Sequence, residues 1–513
     1  MTDKRFFGVF TRSSNFVLFN FWVTQENSSM PKKYHLNPKP VPPRWVPPGP
    51  FGIIEGDGCL NCANCVKKSC VYSVYRKRGY DQRQMFDTAD SLCKNCFRCV
   101  QGCYGRILSK SRNPEFWTMG DDYWTPEIIA SNQTQAETGK IPVSGGGYGG
   151  PFAGPGFDGM WTDMSEIVRP TRDGIHGREY ISTTVELGRI LQTMIHPAGP
   201  GSARISPVLG GMTFPPRVEA SIPLIFDLLP FRAFNSAVRL ALAKAAFESN
   251  TFMITRVEDL TDEFLPLATH LVPLLPEGNL EGSVPAIRGA RMVQVSFSES
   301  VMETVREVKK INPRVVVCLR LPLTPRTEEE VESLARAGAE VLHILADEKG
   351  REQNSTSPRF IIDLIRNIHL RLVKECRRDG LSLIFGGGIA LAEHVAKAII
   401  CGADAVSIER PLLFALECRL CKRCARGLTC PVELEKIDSD WGRQRIVNLI
   451  AAWHGQLLEV LGAMGMRDVR RLRGEVGRAI FLEEIEKETF GQIFGRPVNE
   501  AERLKESIDV LPT

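Results

Sequence analysis

Eight cysteines crowded between residues 59 and 103 constrain this chain more than any other feature. They are Cys59, Cys62, Cys65 and Cys70, followed by Cys93, Cys96, Cys99 and Cys103. The first run reads C-x2-C-x2-C-x4-C and the second C-x2-C-x2-C-x3-C. Such spacing wraps three thiolates around one face of an iron–sulfur cube, and the fourth cysteine of each run usually ligates the other cluster. One 4Fe-4S cluster is therefore expected on Cys59, Cys62, Cys65 and Cys103, and a second on Cys93, Cys96, Cys99 and Cys70. Two zinc sites are the competing reading, because C-x2-C pairs also bind zinc tetrahedrally. Zinc needs two such pairs, whereas a repeated triple is more specific to clusters. The proline that usually follows the fourth cysteine is replaced by Val71 and Tyr104, which leaves the ligands untouched.

At 513 residues the chain exceeds one ordinary core and suggests about two to four domains. Fifteen cysteines without a secretory signal point to a reducing cytoplasm and metal-bound thiolates rather than disulfides. The apolar stretch from Phe6 to Val23 is broken by Thr11, Arg12, Ser13, Ser14 and Asn15 and cannot span a bilayer. Composition changes at Met30. Residues upstream of it read either as an extension with translation starting at Met30 or as a short anchor. The prolines from Pro38 to Pro50 favour an extended strap. Residues 1–113 hold 18 Lys and Arg against 7 Asp and Glu, while the whole chain is only +4. The excess partly compensates cluster charge and partly suits a face that steers an acidic electron carrier. No nucleic-acid motif is present.

From about Ile205, short apolar strands alternate with amphipathic helices. Strands are expected at Ile205–Leu209, Phe252–Thr255, Met292–Phe297, Val315–Leu321, Val341–Leu345, Leu381–Phe385 and Ala405–Ile408, with helices such as Val301–Lys310, Glu328–Ala337, Arg359–Arg378 and Leu391–Cys401 between them. Near-continuous apolar strands separated by helices imply a parallel sheet, and seven or eight units imply an α/β fold of the (β/α)8 TIM-barrel type. In such barrels a phosphate commonly sits after strands seven and eight. Gly386, Gly387, Gly388 and Ile389 follow a strand and precede a helix, so their backbone amides can approach a phosphate closely.

A second cysteine block, Cys418, Cys421, Cys424 and Cys430, follows the last expected strand and precedes Pro431. Its place brings a metal centre to the barrel mouth, where a third iron–sulfur cluster is preferred over structural zinc. Cys318, Cys376 and Cys401 stand singly in apolar surroundings and read as packing residues. Helical periodicity from Ile446 to Val460 predicts a C-terminal helix packed on the barrel, with a surplus apolar face for a subunit contact.

These residues resemble the glutamate synthase family, most closely its archaeal-type large subunits. The resemblance rests on Tyr123-Trp124-Thr125-Pro126-Glu127, Gln135-Ala136-Glu137-Thr138-Gly139, Arg178-Glu179, Leu187-Gly188-Arg189, Gly387-Gly388-Ile389, the run Gly402 to Val406, and Cys430-Pro431-Val432. It implies a two-cluster ferredoxin module joined to an FMN barrel that reduces an iminoglutarate made from 2-oxoglutarate and ammonia. It also implies cluster ligands at Cys418, Cys424 and Cys430 for a 3Fe-4S centre, to which Cys421 adds a fourth thiolate, enough for a 4Fe-4S cube. The implied boundaries are residues 1–50 (extension and strap), 51–113 (ferredoxin-like module), 114–200 (linker and barrel entry), 201–430 (FMN barrel with the third cluster) and 431–513 (helical tail).

Departures from the family pattern cluster at the substrate pocket. The first-strand motif reads Gly211-Met212-Thr213-Phe214-Pro215, whose Met212 and Thr213 main chain would hold flavin and substrate. A glycine-rich segment has become Thr255-Arg256-Val257-Glu258-Asp259, and the loop after the fifth strand, Asp347 to Ser357, keeps only Gly350. Cys318 replaces a lysine expected on the fourth strand. Arg320, two residues on and facing the same way, is a candidate to supply the missing cation. Glu409 replaces a glycine near the flavin phosphate and would repel it unless paired with Arg410. Two readings follow: a glutamate synthase-like oxidoreductase passing electrons through the clusters to FMN, or an electron-transfer subunit of a larger complex that has lost glutamate chemistry. Either implies an electron donor such as a ferredoxin or a reductase subunit within a hetero-oligomer. As no nucleophilic cysteine follows Met1, ammonia would come from a separate amidotransferase subunit.

Overall fold

The computed structural model describes residues 34–75, 90–141, 157, 160–162, 181–189, 215–230, 235–278, 280–475, 477 and 479–481. Packing divides the chain into residues 1–34 and residues 35–513.

Eight parallel strands close into a barrel: β1 (Leu224–Phe226), β2 (Phe252–Arg256), β3 (Leu271–Leu275), β4 (Met292–Ser296), β5 (Val316–Pro322), β6 (Val341–Leu345), β7 (Ser382–Gly386) and β8 (Ala405–Ile408). Each strand pairs in parallel with the next, and β8 closes on β1. The strands are runs of Val, Ile, Leu and Phe buried along almost their whole length, as a sheet covered on both faces requires. The crossover helices carry their own end signals. In Thr327–Ala337, Glu328, Glu329 and Glu330 occupy the first turn and Arg336 the last, matching the helix dipole. Gly338, at φ +91, then ends the helix in the left-handed conformation.

The structure corrects the strand assignment in three places. The first barrel strand is Leu224–Phe226, and the expected strand Ile205–Leu209 lies outside the described residues, as do Met212 and Thr213. A strand at Leu271–Leu275 was not expected. Cys318 consequently sits on the fifth strand rather than the fourth, and the Asp347–Ser357 loop follows the sixth. The helix expected over Arg359–Arg378 is Ile361–Lys374, followed by a short turn at Arg378–Gly380.

Ser439–Ala463 forms a 25-residue helix, started by Asp438, whose carboxylate accepts from the backbone of Asp440 and Trp441. It packs on helices Pro126–Thr138, Ser236–Glu248 and Ala392–Cys401. A Cβ at Gly442 would stand 2.9 Å from that of Ala241, so glycine permits the close crossing. Trp453 is 1% exposed, and its loss would cost about 3–5 kcal/mol. This helix is long and apolar enough to cross a membrane, but 61% of its most apolar stretch is buried in the protein, and a core helix meets the same criteria.

Candidate metal centres and the barrel mouth

Each of the two N-terminal cysteine groups lines a cavity. Cys59, Cys62, Cys65 and Cys103 surround one, with Leu60, Asn64 and Ile107. Cys70, Cys93, Cys96 and Cys99 surround the other, with Tyr75, Lys94 and Lys110. The fourth cysteine of each run thus lines the cavity of the other run's first three. An antiparallel pair, Phe51–Glu55 with Leu108–Arg112, brackets the module. Val74, Tyr75, Cys93, Cys99 and Leu108 form its small core. Cys418, Cys421, Cys424 and Cys430 line a third cavity with Leu420, Val432 and Leu434.

All three runs share one backbone device. The residues on either side of the second cysteine adopt left-handed φ: Asn61 and Ala63, Asn95 and Phe97, Leu420 and Lys422, at φ between +50 and +57. Each such non-glycine residue costs about 1–2 kcal/mol, and a strain repeated at three sites marks a common requirement of the loop. The loop turns successive cysteine side chains toward one centre. Burial pushes the Cys418 thiol up to about 12 and raises that of Cys65 as well. Thiolates there need a metal to exist at neutral pH. Among the described residues, no three or more His, Cys, Asp or Glu side chains converge tightly enough for a single metal ion.

One segment, Asn113 to Thr138, touches both the third cavity and the barrel loop. Glu115 pairs with Arg419, Gly120 N–H donates to the Arg419 carbonyl at 3.1 Å, and Lys422 reaches Asp121 at 3.2 Å. The next residues lie over the glycine loop: Tyr123 Oη donates to the Gly388 carbonyl and Trp124 Nε1 to that of Glu348 at 2.8 Å. Thr125 caps the helix Pro126–Thr138, which ends at Gly139, φ +71, where any Cβ would strike Pro38. The proline-rich strap crosses the same region. Arg44 N–H donates to Glu417 Oε1 at 2.7 Å, and its guanidinium donates to the carbonyls of Val432 and Glu433.

At the barrel mouth, Gly387 and Gly388 adopt φ +94 and +72. Among the described residues the amides of Gly387, Gly388 and Ile389 have no hydrogen-bond acceptor, and a ten-residue helix, Ala392–Cys401, follows. Successive free amides before a helix suit an anion, so this loop fits a flavin phosphate. The surroundings are less accommodating. Arg410 pairs with both Glu409 and Glu348 and lies 5.7 Å over the Trp124 ring. Burial raises the Glu409 carboxyl to about 7, against the opposing pull of Arg410.

Below the mouth a polar chain crosses the barrel. Arg320 on β5 grips Asp227 at the end of β1 and reaches Gln294 Oε1 on β4 at 3.2 Å. The Gln294 amide donates to His343 Nδ1 at 2.8 Å, leaving His343 Nε2–H to donate to Ser407 Oγ at 2.8 Å. Burial drives the pKa of His343 down to about 4. Cys318, 1% exposed, contacts only the Gln294 amide of this chain, and burial pushes its thiol up to about 12. Cys318 and Arg320 share a face, as their spacing predicts, but the Arg320 charge is already met by Asp227. The partners of this chain escaped sequence reasoning: Asp227 follows a three-residue strand with no alternation to flag it.

The closed parallel barrel and the cysteine loops define a (β/α)8 protein with cysteine-rich loops ahead of and behind the barrel. Residues 279–467 match the conserved region in glutamate synthase. The chain is 24% identical to the archaeal-type glutamate synthase [NADPH] of Dehalococcoides mccartyi, over 82% of this chain and 92% of that protein. It is equally 24% identical to the archaeal glutamate synthase [NADPH] of Archaeoglobus fulgidus, over 85% and 95%. These matches support a divergent member of the glutamate synthase family, whose members are oxidoreductases. Among solved structures, a flavocytochrome b2 with pyruvate bound is similar at 12% identity and a TM-score of 0.41, over 78% of this chain and 87% of that one.

Proposed function

We propose that the chain is an iron–sulfur flavoprotein oxidoreductase of the glutamate synthase type, working in a reducing cytoplasm. Its clusters relay electrons from an external donor toward FMN at the barrel mouth. Two 4Fe-4S clusters would occupy the N-terminal cavities. Cys418, Cys421, Cys424 and Cys430 would hold a third, complete cube. The observation that carries this reading is the shared loop geometry, in which Leu420 and Lys422 repeat the left-handed pair of the two N-terminal runs. Cys421 thereby occupies a ligand position equivalent to Cys62 and Cys96.

FMN is supported by the family and by the free amides at Gly387, Gly388 and Ile389. When bound it would supply the step between single-electron carriers and two-electron chemistry. Tyr123 fixes the phosphate loop through Gly388, and Arg410 is the nearby cation.

Reductive amination of 2-oxoglutarate is the second reading, favoured by the names of the relatives. The Asp227–Arg320 pair counts against it, because the cation that would receive a substrate carboxylate is held by one of the protein's own. Electron transfer within a larger redox complex accounts better for retained cysteines beside an internally neutralised barrel. Adding 2-oxoglutarate and ammonium to the anaerobically reduced protein separates the two. A reduced spectrum that persists supports the relay, whereas flavin reoxidation with glutamate formed establishes amination.

A further inference from the structure

The two N-terminal cavities differ in charge. The one lined by Cys70, Cys93, Cys96 and Cys99 includes Lys94 and Lys110, whereas that of Cys59, Cys62, Cys65 and Cys103 contains no charged side chain. Lys110 Nζ donates to Cys93 Sγ at 3.3 Å, and the ammonium also lies 4.8 Å from the centre of the Phe97 ring. Its position is fixed by the strand Leu108–Arg112, which pairs with Phe51–Glu55 in the register Lys110 to Ile53. Cys93 itself is only 7% exposed, so little water screens the contact.

Reduction adds one negative charge to a cluster, and hydrogen bonds and cations at its sulfurs favour that state. Burial works the other way, because a less polar surrounding disfavours added charge. Cys93 and Cys99 are buried and Cys96 is exposed in the second group, while the first has Cys59 and Cys62 exposed and no buried cysteine, so on burial alone the second cluster would be somewhat the harder to reduce. A charge-assisted bond to a ligand sulfur acts at contact distance and outweighs the difference.

Resting on the iron–sulfur reading above, we propose that Lys110 is a positioning residue for the electron. Its ammonium on Cys93 raises the potential of the second cluster above that of the first, so that electrons shared between the two collect on the second. The second cluster is the sensible reservoir. Lys110 lies five residues before Glu115, whose carboxylate holds Arg419 of the third cysteine loop.

The test is an EPR-monitored redox titration of the anaerobically purified full chain and its K110Q, K110M and K110R variants, with iron determined on each. K110Q and K110M are expected to make the second cluster about tenfold harder to reduce, a fall of about 59 mV for a one-electron couple. The first cluster should be unmoved, and K110R should stay near wild type. Unchanged potentials in iron-replete K110Q and K110M would overturn the proposal while leaving the iron–sulfur reading intact. Iron lost from both neutral variants but kept by K110R would overturn it too, since the lysine would then be structural. A wild-type chain without iron would remove the parent reading itself.

Discussion

Arg320 and Asp227 meet across the barrel interior in a two-point ion pair, Nη1 to Oδ1 at 2.7 Å and Nη2 to Oδ2 at 3.3 Å. Their strands, β5 and β1, are not neighbours, so the pair spans the barrel. Burial alone would raise the Asp227 carboxyl, but Arg320 and His343 more than offset it and hold the group below its ordinary range. Removing the arginine strands a buried carboxylate, at a cost of about 3–5 kcal/mol. R320M should therefore lower the urea midpoint strongly, and the double change R320M/D227N should recover most of the loss. An R320M protein as stable as wild type would show that Arg320 is free for a ligand.

Glu409 sets a pH dependence for flavin retention. Glu409 directly follows β8, which pairs with β7 through Ser407 and Gly386, and this brings Glu409 beside the glycine loop. The carboxyl, raised to about 7 by burial, is neutral below that pH and charged above it. FMN, followed by fluorescence on release, should leave more readily as pH rises through about 7, and E409Q should flatten the profile. Retention that improves with rising pH would contradict this placement.

Three buried histidines predict acid sensitivity. Burial lowers His343, His369 and His454 from 6.5 to about 4 each. The unfolded chain then binds more protons than the folded one over that window, so stability falls as pH drops from 6.5 toward 4. For the fully buried His343 the effect is about 3 kcal/mol. Glu409, raised to about 7, acts oppositely, since its contribution is fully present below 4.5 and is lost as pH rises through 7. Burial also lowers His270 and raises Glu417, so with four histidines against two carboxyls the thermal midpoint should fall on acidification. A flat or rising profile would mean that water reaches these rings.

Arg44 joins the strap to the third cysteine loop. R44A removes its guanidinium from the Val432 and Glu433 carbonyls and from the Glu417 carboxylate beside Cys418. Mild chelation should then strip about four iron atoms faster than from wild type and spare the other two sites. Equal loss from all sites would deny the strap any local role.

Which cysteines share a cavity was legible because close spacing governs how a short loop can wrap a centre, and Cys70 and Cys103 each line the cavity of the other run. Most barrel strands were legible as apolar runs such as Val341–Leu345. Leu271–Leu275 was not, because Pro273 interrupts it and a nine-residue 3-10 segment, Asp262–His270, replaces the helix that should precede it. Leu224–Phe226 is too short to show a period. The Asp227–Arg320 pair joins residues 93 positions apart, a closure that no local pattern encodes.

Iron, acid-labile sulfide and zinc measured on the anaerobically purified chain test the central claim most directly. Three complete cubes predict about twelve iron and twelve sulfide per chain. Zinc in their place, or about eight iron with Cys418, Cys421, Cys424 and Cys430 free to react with thiol reagents, would contradict the three-cluster relay.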